Sequence, residues 1–280
     1  MKKIASALAL IFSFAGAVKA EGPDASPKFK KIMIVIFENT SYQEALSLPF
    51  FGSLAKGGAL LSNYYAVAHP SQPNYVALIS GSSDGVPGDG NVDLSRRHLG
   101  DLLEGRGLKW KVYAQGYPGN CYLGARAGKY ARKHVPFLSF TNVSKDSKRC
   151  INIVEATDLD RDIREGTLPE FSLYIPDLRN DGHNTGAKFA DHWFSSAFGG
   201  FLKDPTFPKD LLIAVTFDED DHSDYNHIYT VLYGGPVIAG SVSKSRYTHY
   251  SLLRTVEDAF TLGALGENDG DAAAIAGVWR

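Results

Sequence analysis

Carboxylate and amide side chains follow two strongly apolar stretches of this 280-residue sequence. Glu38 and Asn39 come directly after the run IMIVIF, and Asp218 and Glu219 come directly after LLIAVTF. Such oxygen donors are the ligands that Mg²⁺, Ca²⁺ and Mn²⁺ prefer, and Zn²⁺ also accepts them. Carboxylates that gather in one place repel each other unless a cation offsets their charge. The four residues therefore predict a divalent metal site if the two stretches are neighbours, and solvated acidic loops if they are not.

Ser71, in the segment HPSQPNYVALISG, is a further residue whose type could do chemistry. A serine before a helical stretch is a common N-cap, and Pro73 is tolerated in a first helical turn. The amides at the start of a helix also attract phosphate, so the same position suits a serine nucleophile. On this segment alone, both interpretations stay open.

Two histidines and an aspartate lie close to strand ends in the sequence. Asp181 and His183 belong to the turn-like segment NDGHN after the run FSLYI, and His227 follows the acidic segment DEDD. Imidazoles there could hold a phosphate oxygen, protonate a leaving group or, with Asp181, ligate a second metal ion. The alternatives are an exposed turn and a packed histidine. For His249, a cap or core role and a functional role are equally compatible with the sequence.

The elements that must position these residues alternate between apolar strands and helices. The predicted strands are Ile32–Phe37, Trp110–Gln115, Phe171–Ile175, Leu211–Phe217 and Ile228–Tyr233, and the predicted helices are 71–80, His98–Glu104, 187–202 and Ser251–Phe260, the last capped near Thr248. Continuous apolar strands separated by helices indicate an α/β fold whose mainly parallel sheet is covered on both faces. Parallel strands end at the same edge of the sheet, which would gather the acidic residues there.

Composition and the N-terminus restrict the class of protein. The stretch MKKIASALALIFSFAGAVKA is typical of a signal peptide cleaved after Ala20, so residues 1–20 predict a secreted or periplasmic protein. A linker over 21–29 and one domain over 30–280 follow, and no later segment predicts stable membrane insertion. A net charge of −2 argues against a nucleic-acid-binding surface. In an oxidising compartment Cys121 and Cys150 would form a disulfide, and two free buried thiols are the alternative.

Six segments resemble, in this order, the bacterial and fungal phosphoesterase family, which contains secreted acid phosphatases and bacterial phospholipases C. They are FENTSYQE, HPSQPNYVALISG, PDLRNDGHNTG, TFDEDD, NHIYTVLYGG and YTHYSLLRTVEDAFTLG. The similarity runs from about residue 30 to 265, and the resemblance implies membership of the alkaline phosphatase superfamily. The Ser-x-Pro arrangement also looks like the nucleophile motif of sulfatases, but Tyr75 stands where sulfatases carry arginine.

The resemblance implies a doubly wound α/β fold, a divalent metal ion and a phosphoserine intermediate on Ser71. The metal ligands that it implies are Glu38, Asn39, Asp218 and Glu219. The residues that it implies around the phosphate or a second metal are Asp181, His183 and His227, with His183 or His227 protonating the leaving alcohol.

The expected function is metal-dependent hydrolysis of small phosphate monoesters, of the acid phosphatase type. An alternative is a phosphodiesterase or phospholipase C acting on lipid head groups. Aromatic residues within 110–150 (Trp110, Tyr113, Tyr117, Tyr122 and Tyr130) could then form a cation–π cage, although ordinary packing explains them better. The third hypothesis is a non-catalytic metal- or phosphate-binding protein with the same fold.

Overall fold

This computed structural model describes Pro27 and residues 29–280, so the predicted signal peptide and most of the predicted linker lie outside the described residues. The strands, in chain order, are β1 (Lys31–Phe37), β2 (Ala59–Leu61), β3 (Tyr64–Tyr65), β4 (Trp110–Ala114), β5 (Arg126–Ala127), β6 (Tyr130–Ala131), β7 (Ile153–Glu155), β8 (Phe171–Ile175), β9 (Leu211–Phe217), β10 (Thr230–Gly234), β11 (Ser241–Ser243) and β12 (Tyr247–Thr248).

The α-helices are α1 (Tyr42–Ser47), α2 (Pro49–Gly57), α3 (Ser71–Ser80), α4 (Leu99–Gly105), α5 (Thr141–Ser144), α6 (Ser147–Cys150), α7 (Asp158–Arg164), α8 (Ala187–Lys203), α9 (His249–Ala259) and α10 (Asn268–Asp271). Two 3₁₀ helices span Arg132–His134 and Pro136–Ser139. Across the described part of the chain, no helix combines the length and the apolar character that a bilayer crossing requires.

The central sheet has eight strands in the order β11-β2-β10-β9-β1-β8-β4-β7. Strand β1 pairs in parallel with β8 on one side and β9 on the other, and Val35 lies between Tyr174 and Val215. Every residue of β8 and β9 is buried. This burial explains why both sequences are apolar throughout, because strands covered on both faces have no solvent side. The predicted doubly wound, mainly parallel α/β architecture is confirmed.

Strand β10 departs from the parallel arrangement, since it pairs antiparallel with both β9 and β2. The segment that joins β9 to β10, residues 218–229, contains no helix and re-enters the sheet at the edge where it left, so it makes no crossover. A parallel return would need a crossover connection, usually an α-helix. Helices α1 and α2 were not predicted, because Pro49, Gly52 and Gly57 interrupt the helical pattern there.

Helix α3 is the most deeply enclosed helix element near the sheet edge, and all ten of its residues are buried. It packs against α9, whose N-terminus has a capping box between Thr248 and Ser251, as predicted. At the C-terminus of α3, Gly81 adopts a left-handed conformation with φ of 72°. The carbonyl of Gly81 accepts hydrogen bonds from the backbone N and side-chain Nδ2 of Asn268, at 3.0 and 2.8 Å. A side chain at position 81 would overlap with the Asp269 carboxylate.

The segment between β4 and β7 is an irregular excursion, as predicted, and the Cys121–Cys150 disulfide closes it. Four aromatic residues in strand β4 and in this excursion are buried: Trp110, Tyr113, Tyr117 and Tyr130. The Trp110 ring stacks on Phe137 with centroids 4.2 Å apart. These rings therefore pack the core and do not line an open cage.

Helix α9 buries an acidic side chain without an ion-pair partner. Glu257 is 1% exposed, and neither of its carboxyl oxygens has a hydrogen-bond partner among the described residues. Burial first, and then the charge of the neighbouring Asp269, raise the pKa of Glu257 to about 8, while Arg254 acts weakly in the opposite direction. Between about pH 4.5 and 8, the folded chain therefore holds a proton at Glu257 that the unfolded chain releases.

We expect the free energy of unfolding to fall as the pH rises through this interval, because the chain must take up a proton when it folds and protons become scarcer. The variant Glu257→Gln cannot ionise, so its melting temperature should decline less than that of the wild type between pH 5 and 8. Thermal melts monitored by circular dichroism measure the difference. Glu267→Gln, at an exposed glutamate, is the control. Parallel pH profiles for wild type and Glu257→Gln would contradict the assignment of this proton.

Candidate active site

The carboxyl ends of β1, β8 and β9 bring acidic side chains together at one edge of the sheet. The Asp218 amide donates to the carbonyl of Phe37 at 2.9 Å, and the Glu38 amide donates to the carbonyl of Asp181 at the same distance. Glu38, Asp181, Asp218 and Glu219 are all at most 3% exposed. Side chains separated by up to 181 positions in the sequence thus share one buried cluster, which we call the carboxylate cluster.

Ser71 is the first residue of α3 and faces this cluster. Its Oγ lies 3.0 Å from Glu38 Oε2 and 3.3 Å from Glu219 Oε1, and the residue is 2% exposed. The N-cap position belongs to Pro70, so the Ser71 hydroxyl does not cap the helix. Tyr75, one turn further along α3, donates its hydroxyl to Glu38 Oε1 at 2.6 Å. Residues four apart lie on the same face of a helix, so α3 presents both hydroxyls to Glu38.

Asn39 joins the ends of β1 and β9. Its left-handed backbone, with φ of 51°, lets the Asn39 amide donate to Asp218 Oδ1 at 3.1 Å. Asparagine tolerates this conformation better than most residues. Its side-chain Nδ2 donates to Glu38 Oε2 at 2.8 Å. Within the described chain, the buried Asp218 Oδ2 has no hydrogen-bond partner.

The electrostatics of the cluster favour the binding of a cation. Burial, followed by the charges of Glu38 and Glu219, raises the pKa of Asp218 well above its usual range. Burial and the charge of Glu38 raise the pKa of Glu219 to about 7. Buried acids with raised pKa values and an unpartnered oxygen fit a divalent cation, because its charge would stabilise their ionised forms. Glu38, Asn39, Asp218 and Glu219 supply the oxygen donors that such an ion prefers.

His134 is a site residue that the sequence analysis missed. Its Nε2 lies 3.1 Å from Glu38 Oε1, its Nδ1 lies 3.4 Å from Asp181 Oδ2, and its ring stacks on Tyr75. Burial lowers the pKa of His134 to about 4, and burial raises the pKa of Asp181 to about 7. One ligand atom from each of Glu38, His134 and Asp181 lies within 4.8 Å of the others. These three residues could hold a second metal ion that shares Glu38.

His69 was also missed, although it lies only two residues before Ser71. Its Nδ1 contacts Glu219 Oε2, and its Nε2 is 3.2 Å from Asp220 Oδ1. Its ring stacks on His222 with centroids 4.0 Å apart. Its position as the first residue of the Ser71 segment was the available signal, whereas His134 had only the basic run Arg-Lys-His in an irregular excursion.

The remaining predicted histidines lie at the border of the cluster or outside it. His183 is exposed, its amide donates to Asp181 Oδ1 at 2.8 Å, and its ring is 6.3 Å from that of His134. His227 stacks between Tyr42 and Tyr65 and has both ring nitrogens in contact with oxygens away from the carboxylate cluster. His249 is buried and lies 2.8 Å from the carbonyl of Asp218, which it helps to position.

Comparison with known proteins identifies the family of this chain. A sequence model of the phosphoesterase family matches residues 39–263. A probable acid phosphatase of Kluyveromyces lactis is 33% identical over 257 residues, which are 87% of this chain and 61% of that protein. A phosphatidylinositol-3-phosphatase of Mycobacterium tuberculosis is 34% identical over 98% of this chain and 91% of its own length. The chain thus spans about three fifths of the fungal acid phosphatases that it matches.

Solved structures agree on the fold. A protein of the alkaline phosphatase superfamily from Vibrio parahaemolyticus aligns with a TM-score of 0.58 at 13% identity, over 88% of this chain and 72% of that one. The lipoteichoic acid synthase LtaP from Listeria monocytogenes aligns with a TM-score of 0.59 at 10% identity, over 90% and 80% of the two chains. At these identities the likeness concerns the fold alone. The family match and the relatives together show that this chain belongs to the phosphoesterase family.

Proposed function

We propose that this protein hydrolyses phosphate monoesters through a phosphoserine on Ser71, with a divalent metal ion held by Glu38, Asn39, Asp218 and Glu219. The observation that carries the proposal is the position of Ser71 Oγ, within 3.3 Å of carboxylates from the ends of two different strands. When bound there, the cation would favour loss of the hydroxyl proton and offset charge on the phosphoryl oxygens.

The chain's own residues account for the proton transfers. Ser71 Oγ attacks phosphorus, and its proton passes to Glu219, 3.3 Å away. The bond from phosphorus to the leaving oxygen breaks, and that oxygen takes the electron pair and a proton from His183. Water then attacks the phosphoserine and gives its proton to His183, while Glu219 returns a proton to Ser71. His183 suits this role better than His227, because His183 is exposed beside Asp181 whereas both nitrogens of His227 are engaged elsewhere.

Two observations favour monoesters over lipid diesters as substrates. The relatives named above are an acid phosphatase and a phosphatidylinositol-3-phosphatase, and both names describe the removal of a monoester phosphate. Of the aromatic residues that could have caged a choline head group, Trp110, Tyr113, Tyr117 and Tyr130 are buried in the core, and Tyr122 packs against it. We also propose that residues 30–280 form one domain, exported after cleavage at Ala20, since the Cys121–Cys150 disulfide fits an oxidising compartment.

The variant Ser71→Ala tests the nucleophile. We expect turnover of p-nitrophenyl phosphate to fall at least about 10³-fold, because alanine has no hydroxyl to form the proposed phosphoserine. An acid quench of the wild type should yield phosphoserine at Ser71 by mass spectrometry. Ser80→Ala, at the other end of the same buried helix, is the control and should retain turnover. Near-normal activity of Ser71→Ala would end the nucleophile assignment.

Removal and return of metal tests the ligand set. Dialysis against a chelator should abolish turnover, and one or more of Mg²⁺, Ca²⁺, Mn²⁺ and Zn²⁺ should restore it. In Asp218→Asn, the loss of one anionic ligand should raise the half-saturating metal concentration roughly 100-fold. Asp221→Asn, at an exposed acid of the same loop, should behave as wild type. Turnover that survives exhaustive chelation would rule out the metal.

A rate comparison separates the proposed function from its alternatives. The metal-loaded protein should cleave p-nitrophenyl phosphate faster than bis-p-nitrophenyl phosphate or phosphatidylcholine. Preference for the diester or the lipid would support the phosphodiesterase or phospholipase C alternative. Metal binding without turnover of any ester would support the non-catalytic alternative.

A further inference from the structure

Lys133 brings a positive charge to Ser71. Its Nζ lies 3.4 Å from Ser71 Oγ and 2.7 Å from Asp89 Oδ2, and its side chain is 10% exposed. Among the hydrogen bonds and ion pairs of the described residues, Lys133 is the only lysine or arginine that contacts Ser71. Neither Lys133 nor Asp89 lies in a sequence pattern that indicates a role at the site.

The local structure explains how Lys133 reaches this position. It is the middle residue of the 3₁₀ helix Arg132–His134, whose last residue contacts Glu38 and Asp181. The Arg132 guanidinium is buried and donates to the carbonyls of Leu123 and Leu138, at 3.2 and 2.7 Å. Arg132 thus anchors a single turn that delivers a lysine and a histidine to the candidate active site.

Asp89 connects Lys133 to the start of α3. Its Oδ1 accepts the Gln72 amide at 3.0 Å, and its Oδ2 accepts the Lys133 ammonium. Burial alone would raise the pKa of Asp89, but the bonds from Lys133 and the Gln72 amide outweigh it and lower the pKa. One carboxylate therefore fixes both the ammonium and the backbone that follows Ser71.

The charge balance of the site gives Lys133 a chemical role. The four acids of the carboxylate cluster repel a phosphate monoester, which is itself a dianion near neutral pH. An ammonium has three N–H donors, and the contacts to Ser71 and Asp89 occupy two of them. The third donor is left for an oxygen of the phosphoryl group.

We infer that Lys133 is a catalytic residue that binds a phosphoryl oxygen of the substrate and stabilises the negative charge on Ser71 Oγ as it loses its proton. Asp89 is the residue that positions it. This inference rests on the proposed function. Lys133 keeps its own protons throughout: the Ser71 proton goes to Glu219, and the leaving oxygen departs with the electron pair of its bond to phosphorus. The ammonium acts only through its charge and hydrogen bonds.

The variant Lys133→Met removes the charge and keeps the length of the side chain. In the metal-loaded protein we expect kcat/KM for p-nitrophenyl phosphate to fall about 100-fold, as for the loss of one transition-state hydrogen-bond donor. The inhibition constant of inorganic phosphate should rise at least about tenfold. Lys129→Met, at an exposed lysine of the same excursion, should change neither value. If Lys133→Met does not unfold cooperatively, and so is not properly folded, Lys133→Gln replaces it in both measurements.

The variant Asp89→Asn tests positioning, because its Oδ1 can still accept the Gln72 amide while the ion pair is lost. We expect a fall of about tenfold in kcat/KM. The double variant should be no less active than Lys133→Met alone, because Asp89 acts through Lys133. Additive losses would overturn the positioning role.

The failures of the two proposals are distinguishable. If Ser71→Ala is inactive but Lys133→Met keeps kcat/KM and phosphate inhibition within about threefold of wild type, the Lys133 inference is wrong and the proposed function stands. If the metal-loaded wild type cleaves no phosphate monoester, the proposed function is wrong and the inference fails with it.

Discussion

Mutual repulsion among four buried carboxyl groups is the constraint on which the rest of this structure depends. Glu38, Asp181, Asp218 and Glu219 lie in the segments that follow three parallel strands ending at one edge of the sheet. Bringing such groups out of water is unfavourable unless each is hydrogen-bonded or neutralised. The surrounding polar groups reduce this cost by donating hydrogen bonds to the carboxylates.

The groups that donate to the carboxylates or to Ser71 come from different parts of the chain. Backbone amides at the strand ends donate within the cluster, helix α3 contributes the hydroxyls of Ser71 and Tyr75, and the 3₁₀ helix contributes Lys133 and His134. Three carboxyl oxygens of the cluster still lack a hydrogen bond among the described residues: Asp181 Oδ2, Asp218 Oδ2 and Glu219 Oε2. The cluster is therefore incomplete as protein structure alone and suited to a cation, so its geometry and the family membership support the same proposed function.

Much of the fold could be predicted from the sequence, since apolar runs such as Phe171–Ile175 and Leu211–Phe217 are strands with the predicted bounds. The position of the acids followed from one rule, that parallel strands end at the same edge. His134 escaped prediction because it lies in an irregular excursion, where no periodic pattern indicates which way a side chain points. The stacking of His227 depends on Tyr42 and Tyr65, which only the folded chain brings to it.

The contacts at the C-terminal end of α3 bear on Ser71, which lies at its N-terminal end. Gly81 closes the helix against Asn268 and Asp269, and a side chain larger than hydrogen cannot fit there. Helix α3 is buried along its whole length, and its N-terminal end is held by Asp89 through the Gln72 amide. It therefore cannot slide along its axis without breaking contacts at both ends. The contacts around residue 268 thus share in holding Ser71 against the carboxylates, although the two lie at opposite ends of the helix.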